Sequence, residues 1–164
     1  MPPLMTVVTA DLFDRYEAKV ASCQTQFRQF GARRAFHGQI VTVRCFEDNV
    51  LLKQALSTPG QGRVLVVDGG GSLGAALLGD VIGGIAVTHG WGGVLIHGAV
   101  RDTVALGRLE LGVKALGTNP KKSLKKGTGE ANVPVTFGNA TFVPGHFLYS
   151  DDDGVLVSPD ALGV

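Results

Sequence analysis

The chain has 164 residues, 45% of them hydrophobic and 18% charged, which excludes a disordered chain and supplies apolar material for one core. A formal net charge of +1 gives no overall field for nucleic acid or an anionic membrane, so a polyanion would have to meet a local patch. No run of about 18 apolar residues occurs, so no membrane-spanning helix is expected.

These features predict a single domain over residues 1–164. No stretch resembling a secretion signal precedes Cys23 and Cys45, so a cytoplasmic protein with two reduced, buried thiols is expected. Thr9 or Asp11 is expected to cap a helix through about Val20, with Leu12, Phe13, Tyr16 and Val20 on one face. The segment 38–46, GQIVTVRCF, alternates Ile40, Thr42 and Arg44 against Val41, Val43 and Cys45, as a half-buried strand does. NVLLKQAL (49–56) returns to helical spacing until Pro59 and Gly60 stop it.

RVLVVD (63–68) is a continuous β-branched run, the pattern of a strand covered on both faces. DVIGGIAVTHG (80–90) has helical spacing weakened by Gly83 and Gly84, about 1 kcal/mol each relative to Ala, and is predicted to lie very close to a neighbour. GVLIHG (93–98) and GVKALG (112–117) read as short buried strands, with Trp91 filling the joint between helix and strand. NPKKSLKKGTGE (119–130) reads as a solvated basic loop, and SDDDG as a turn. Short strands near VPVTFG, ATFVPG, HFLYS and GVLVS make the last third β-rich, and the whole is an α/β layered architecture.

Glycine, 24 residues in all, concentrates between residues 59 and 98. Gly69, Gly71 and Gly74 follow a strand in the G-x-G-x-x-G arrangement of dinucleotide folds. That motif also requires an acidic residue about 20 positions on for the ribose, and none lies between Asp80 and Asp102. The same gap, with the β-rich remainder, weighs against S-adenosylmethionine, and tight turns between packed layers are the plain alternative.

Gly79 and Asp80 stand where a helix begins, so the amides of Asp80, Val81 and Ile82 are predicted to face an anion. Twenty residues separate Asp80 from Arg101, enough for one helix and one parallel strand. A helix start and the next strand's end share one sheet edge, which brings Asp80 toward Arg101 and Asp102. A surface ion pair, worth about 0 to 1 kcal/mol, is the competing reading of Arg101 and Asp102.

VDGGGSLGAALLGD, GWGGVLIHGAVRD and NVPVTFGNATFVPGHFLYSDDDGVLV resemble the family that holds the regulator of ribonuclease E activity A and the 4-hydroxy-4-methyl-2-oxoglutarate aldolases. The resemblance implies a swivelling β/β/α sandwich assembled as a homotrimer, possibly a dimer of trimers, with the site at a subunit edge. Its aldolases are marked by an acid, twenty residues, then Arg-Asp; some members read as pure regulators lack the pair. It implies Asp102 as the protein ligand of a divalent cation, Mg²⁺ or Mn²⁺, and Asp80 as acting through water and as the proton carrier. Gly79, Asp80, Val81 and Ile82 would hold a substrate carboxylate by their backbone, and Arg101 would face the 2-keto oxygen.

The implied function is a class II aldolase releasing pyruvate from 2-keto-4-hydroxy acids, with oxaloacetate decarboxylation through the same enolate. The alternative is a non-catalytic regulator of ribonuclease E, and no direct nucleic-acid contact is expected. The longer aldolases carry extra C-terminal residues that reach a neighbouring site, whereas this sequence stops at Val164, which implies lower efficiency on the bulky aldol substrate. His97 reads as a core histidine and His89, beside Trp91, as a helix end, while His37 and His146 show no metal-ligand spacing.

Overall fold

The computed structural model describes residues 6–164. The elements run α1 (Thr9–Tyr16), β1 (Ala21–Ser22), β2 (Arg28–Gln29), β3 (Phe36–Arg44), α2 (Val50–Leu56) and β4 (Val64–Asp68). There follow β5 (Ala76–Leu78), α3 (Asp80–Thr88), β6 (Gly93–Val100), α4 (Thr103–Leu106) and β7 (Gly112–Thr118). The last are β8 (Glu130–Ala131), β9 (Val135–Phe137), β10 (Ala140–Phe142), β11 (Phe147–Asp151) and β12 (Gly154–Ser158).

Strands β3, β4, β6 and β7 pair in parallel at the centre of one large sheet, and antiparallel β11, β12 and β1 extend it beyond β3. The apolar run of β4 fills both faces of this sheet. Leu65 and Val67 join Leu52, Leu56, Ile82, Ala86 and Trp91 under the helices. Val64 and Val66 join Phe137, Phe142, Leu148 and Val155 in a second core under the strands. Helices therefore cover one face and β-structure the other, a β/β/α layering.

The layers approach closely at Gly93 and Gly112, which pair across β6 and β7. A Cβ on Gly112 would stand 2.2 Å from the Phe36 ring, and on Gly93 2.5 Å from it, so only glycine lets that ring lie flat on the sheet. Gly83 has the same cause, since a Cβ would meet Leu109 at 2.8 Å, whereas Gly84 faces open space and has no packing reason.

Two expectations change. Helix α1 ends at Tyr16, and no side chain caps it. The Thr9 hydroxyl and amide instead donate to Asp151 at 2.6 and 2.8 Å, so the residue expected to cap the helix ties it to β11. The Asp-rich turn is also more than a surface turn. The amine of buried Lys114 donates to the carbonyls of Asp151 and Gly154, and Arg34 pairs with Asp152 at 3.0 Å. Cys23 and Cys45 are both free thiols, and burial pushes Cys45 up to about 12, with Asp48 and Asp68 adding to it, so it stays protonated. Among the described residues no helix is long and apolar enough to cross a membrane.

Burial pushes the Asp151 carboxyl up, but donors from Thr9, Asp153 and Gly154 outweigh it and hold the group below the usual carboxylate range. A depressed folded-state value contributes stability that is present above the unfolded value, about 3.9, and lost as pH falls through the folded one. Asp151→Ala should cost about 1–3 kcal/mol in urea unfolding near neutral pH. The wild-type advantage should shrink at about pH 3; an advantage of constant size would refute this account of the anchor.

Candidate active site

Strand β5 explains how the site assembles. Strand β6 pairs with β4 only from Gly93 to His97, and beyond that point β5 takes the same edge, setting Ala76 by Ala99 and Leu78 by Val100. The Arg101 amide donates to the Leu78 carbonyl at 2.9 Å. Gly79-Asp80 and Arg101-Asp102 thus leave the sheet side by side.

Gly79 is the extended residue that starts α3, and the helix closes its first turn with Gly83 N–H to the Gly79 carbonyl at 2.9 Å. The amides of Asp80, Val81 and Ile82 therefore point out of the helix end. That of Asp80 donates to Asp102 Oδ2 at 3.0 Å, so Val81 and Ile82 supply the amides that remain for a ligand. A Cβ on Gly79 would stand 2.5 Å from that oxygen and 3.3 Å from Arg101 Cγ, so glycine is required for the carboxylate to reach the amide. Asp102 takes left-handed backbone angles, φ 58 and ψ 44, and its carbonyl accepts the Leu106 amide at 2.9 Å to open α4.

The Asp80 amide does most to hold the Asp102 carboxyl below its usual range. Slight burial opposes this, while the neighbouring Arg101 charge reinforces it. Arg101 Nη1 also donates to the Pro120 carbonyl at 3.3 Å.

These residues line a cleft of about 160 Å³, and Gly79, Asp80, Val81, Ile82, Arg101 and Asp102 all face it. Its far wall is the basic segment expected to be a solvated loop. The segment is stitched along β5. Asn119 Nδ2 donates to Leu73 at 2.7 Å, the Ala76 amide to Lys121 at 2.8 Å, and Ser123 Oγ to Ala76 at 2.6 Å. Buried Asp48 anchors the far end by accepting the amides of Lys126 and Gly127 at 2.6 and 3.1 Å. Burial pushes the Asp48 carboxyl up, but these donors and the amides of Val50 and Thr128 bring it below its usual range.

Lys122 and Lys125 of this segment line the cleft together with Lys53 from α2. Lys125 donates to Asn49 Oδ1, and Asn49 Nδ2 donates to the Leu77 carbonyl at 3.2 Å. Sequence reasoning missed Asn49, Lys53, Lys122 and Lys125. For Asn49, Lys122 and Lys125 the signal is long-range pairing between β5 and residues 119–125, which no local pattern carries.

Other expected residues lie elsewhere. None of the four histidines lines the cleft. His97 stacks on Phe137 with centroids 4.5 Å apart, and burial lowers its pKa while Asp68 at 3.8 Å opposes the shift. The glycine loop folds back on β6, with the Gly69 and Gly71 amides both donating to the His97 carbonyl at 3.1 Å. Gly74 leads into strand β5 instead of a helix, so the loop lacks the helix end on which a dinucleotide phosphate would rest.

The donor set decides which cation the cleft suits. Two adjacent carboxylates, Asp80 and Asp102, are oxygen donors that fit a hard divalent ion retaining several waters. Among the described residues no group of three or more His, Cys, Asp or Glu gathers, which does not fit a softer, fully protein-held metal.

Solved structures with this fold carry different functional names. The chain is 46% identical to a protein from Geobacillus kaustophilus described as an S-adenosylmethionine:2-dimethylmenaquinone methyltransferase, with a TM-score of 0.93 and coverage of 94% of this chain and 96% of that one. It is 44% identical to the RNA-processing inhibitor RraA from Thermus thermophilis, with the same TM-score and coverage of 97% and 96%. A Streptomyces coelicolor protein described as an unusual member of the RNase ES inhibitor RraA family shares the fold alone, at 24% identity and a TM-score of 0.73. The family model described as Aldolase/RraA matches residues 8–157, and the chain belongs to this RraA-like family.

Proposed function

We propose that the chain is a divalent-metal-dependent class II aldolase that cleaves 2-keto-4-hydroxy acids of the 4-hydroxy-4-methyl-2-oxoglutarate type to pyruvate, with oxaloacetate decarboxylation as a side activity. The observation that carries the reading is the meeting of an ionised Asp102, a neighbouring Asp80 and the permanent cation Arg101 at the open end of α3. A surface ion pair needs neither the helix amides nor a second carboxylate.

Asp102, with Asp80 beside it, would hold Mg²⁺ or Mn²⁺. When bound, the ion supplies Lewis-acid polarisation of the substrate's keto oxygen. The Val81 and Ile82 amides, at the positive end of the helix, bind the 2-keto acid's carboxylate. Arg101 adds a fixed positive charge where the keto oxygen gains electron density. Asp80, or a water it orients, takes the proton from the C4 hydroxyl as the C3–C4 bond breaks. The bonding pair passes to C3, giving the enolate of pyruvate and a carbonyl at C4. Proton return to C3 completes pyruvate. Oxaloacetate losing carbon dioxide gives the same enolate, so one arrangement serves both reactions.

A second reading, a non-catalytic regulator that binds ribonuclease E, is favoured by the 44% identical RNA-processing inhibitor. The two separate on purified protein. Mg²⁺-dependent pyruvate release from oxaloacetate, detected by coupled lactate dehydrogenase, supports the aldolase reading; its absence together with nuclease binding supports the regulator.

Asp102→Ala is expected to reduce this release to background in a protein with unchanged circular dichroism, and Arg101→Ala to lower kcat by about 10²- to 10³-fold. Undiminished turnover in folded Asp102→Ala protein would remove the assignment. Gly79→Ala should displace the Asp102 carboxylate from the Asp80 amide, seen by carbon NMR as a rise in that carboxyl's pKa, with weaker Mn²⁺ binding. An unchanged titration would show that the contact does not hold the group.

A further inference from the structure

We propose that Asp48 is a positioning residue for the reaction, a carboxylate outside the cleft whose hydrogen bonds to the backbone set where the Lys125 amine stands within it. This role rests on the reading of the cleft as a 2-keto acid site. Asp48 is 1% exposed, and among the described residues it forms no ion pair. A buried carboxylate without a cation is costly unless donors surround it. Here the donors are backbone amides. Val50 donates to Oδ1 at 3.1 Å, Lys126 to Oδ2 at 2.6 Å, and Gly127 to both oxygens at 3.2 and 3.1 Å.

These bonds bracket Lys125. Before it, the Leu124 amide donates to the Glu47 carbonyl at 2.8 Å and the Asn49 amide to the Leu124 carbonyl at 3.4 Å, so residues 47–49 run alongside Leu124. After it, the Asp48 carboxylate takes the next two amides of the chain. The residue between them is exposed, so packing does not hold it. Its amine nonetheless returns to Asn49 Oδ1 and lines the cleft with Asp80, Arg101 and Asp102. A backbone pinned on both sides limits where that flexible stem can start, and Asp48 is the pin on the C-terminal side. The Val50 bond ties the same carboxylate to the start of α2, so the pin is set in the scaffold and not in the segment it holds.

A carboxylate suits this place because it offers about four acceptor positions and no donor. An asparagine has the same shape, but its NH₂ group would face amides that are themselves donors. Asp48→Asn therefore loosens the segment while leaving every residue of the cleft in the chain.

The test is a double-mutant cycle on Mg²⁺-dependent pyruvate release from oxaloacetate. Asp48→Asn should lower kcat/KM by about 10- to 100-fold, the scale of a side chain displaced near reacting groups, in protein with unchanged circular dichroism. In a Lys125→Ala background the same substitution should cost about twofold or less, because the amine it positions is gone. A merely structural anchor would act alike in both backgrounds. An effect of full size in Lys125→Ala protein overturns the assignment, as does undiminished turnover in Asp48→Asn itself. If the wild type releases no pyruvate, the 2-keto acid reading falls and this role falls with it. Hydrogen exchange of the wild type needs no folded variant: the Lys126 and Gly127 amides should exchange at least about 10-fold more slowly than in an unstructured chain. Exchange at the unstructured rate would show that Asp48 does not grip the segment and would overturn the proposal.

Discussion

One hydrogen bond, from the Asp80 amide to the Asp102 carboxylate, joins the start of α3 to the end of β6. It exists because β5 replaces β4 along the edge of β6, so two strand ends far apart in sequence leave the sheet together. It also needs the bare backbone of Gly79, where a Cβ would stand 2.5 Å from that oxygen. The contact orients the carboxylate and holds its pKa below the usual range, and the preceding residue, Arg101, lines the same cleft.

Part of the polar interior borders that cleft. Asp48 and Asn49, 1% and 6% exposed, would be costly in a core that asked nothing of them. Asp48 accepts the backbone of the basic segment, and Asn49 joins that segment's Lys125 to β5. Ser123, 3% exposed, closes the same seam. A lysine-rich stretch that would spread into solvent by self-repulsion is held in register beside two carboxylates. The result is a small basin lined by two carboxylates and several cations.

The central layer was legible because its signals are local. The β-branched run at 64–67, the helical spacing from Asp80 and the twenty residues before Arg101 each follow from short-range rules, and together they predict neighbours across the sheet edge. Strand β5 was not legible, since three residues, Ala76–Leu78, show no period and sit inside a glycine-rich stretch that reads as loop. Missing β5 hid the seam along it, and with the seam went Asn49, Lys122 and Lys125. The missing cap of α1 was hidden for a related reason: Thr9 donates to a carboxylate 142 positions away.

The left-handed backbone at Asp102 sets a cost on this arrangement. A residue with a side chain gives up on the order of 1 kcal/mol in that conformation, a cost glycine escapes. Selection for thermal robustness alone would therefore drift this position toward glycine and discard the carboxylate. An acid at such a bend stands against the local gradient of folding free energy.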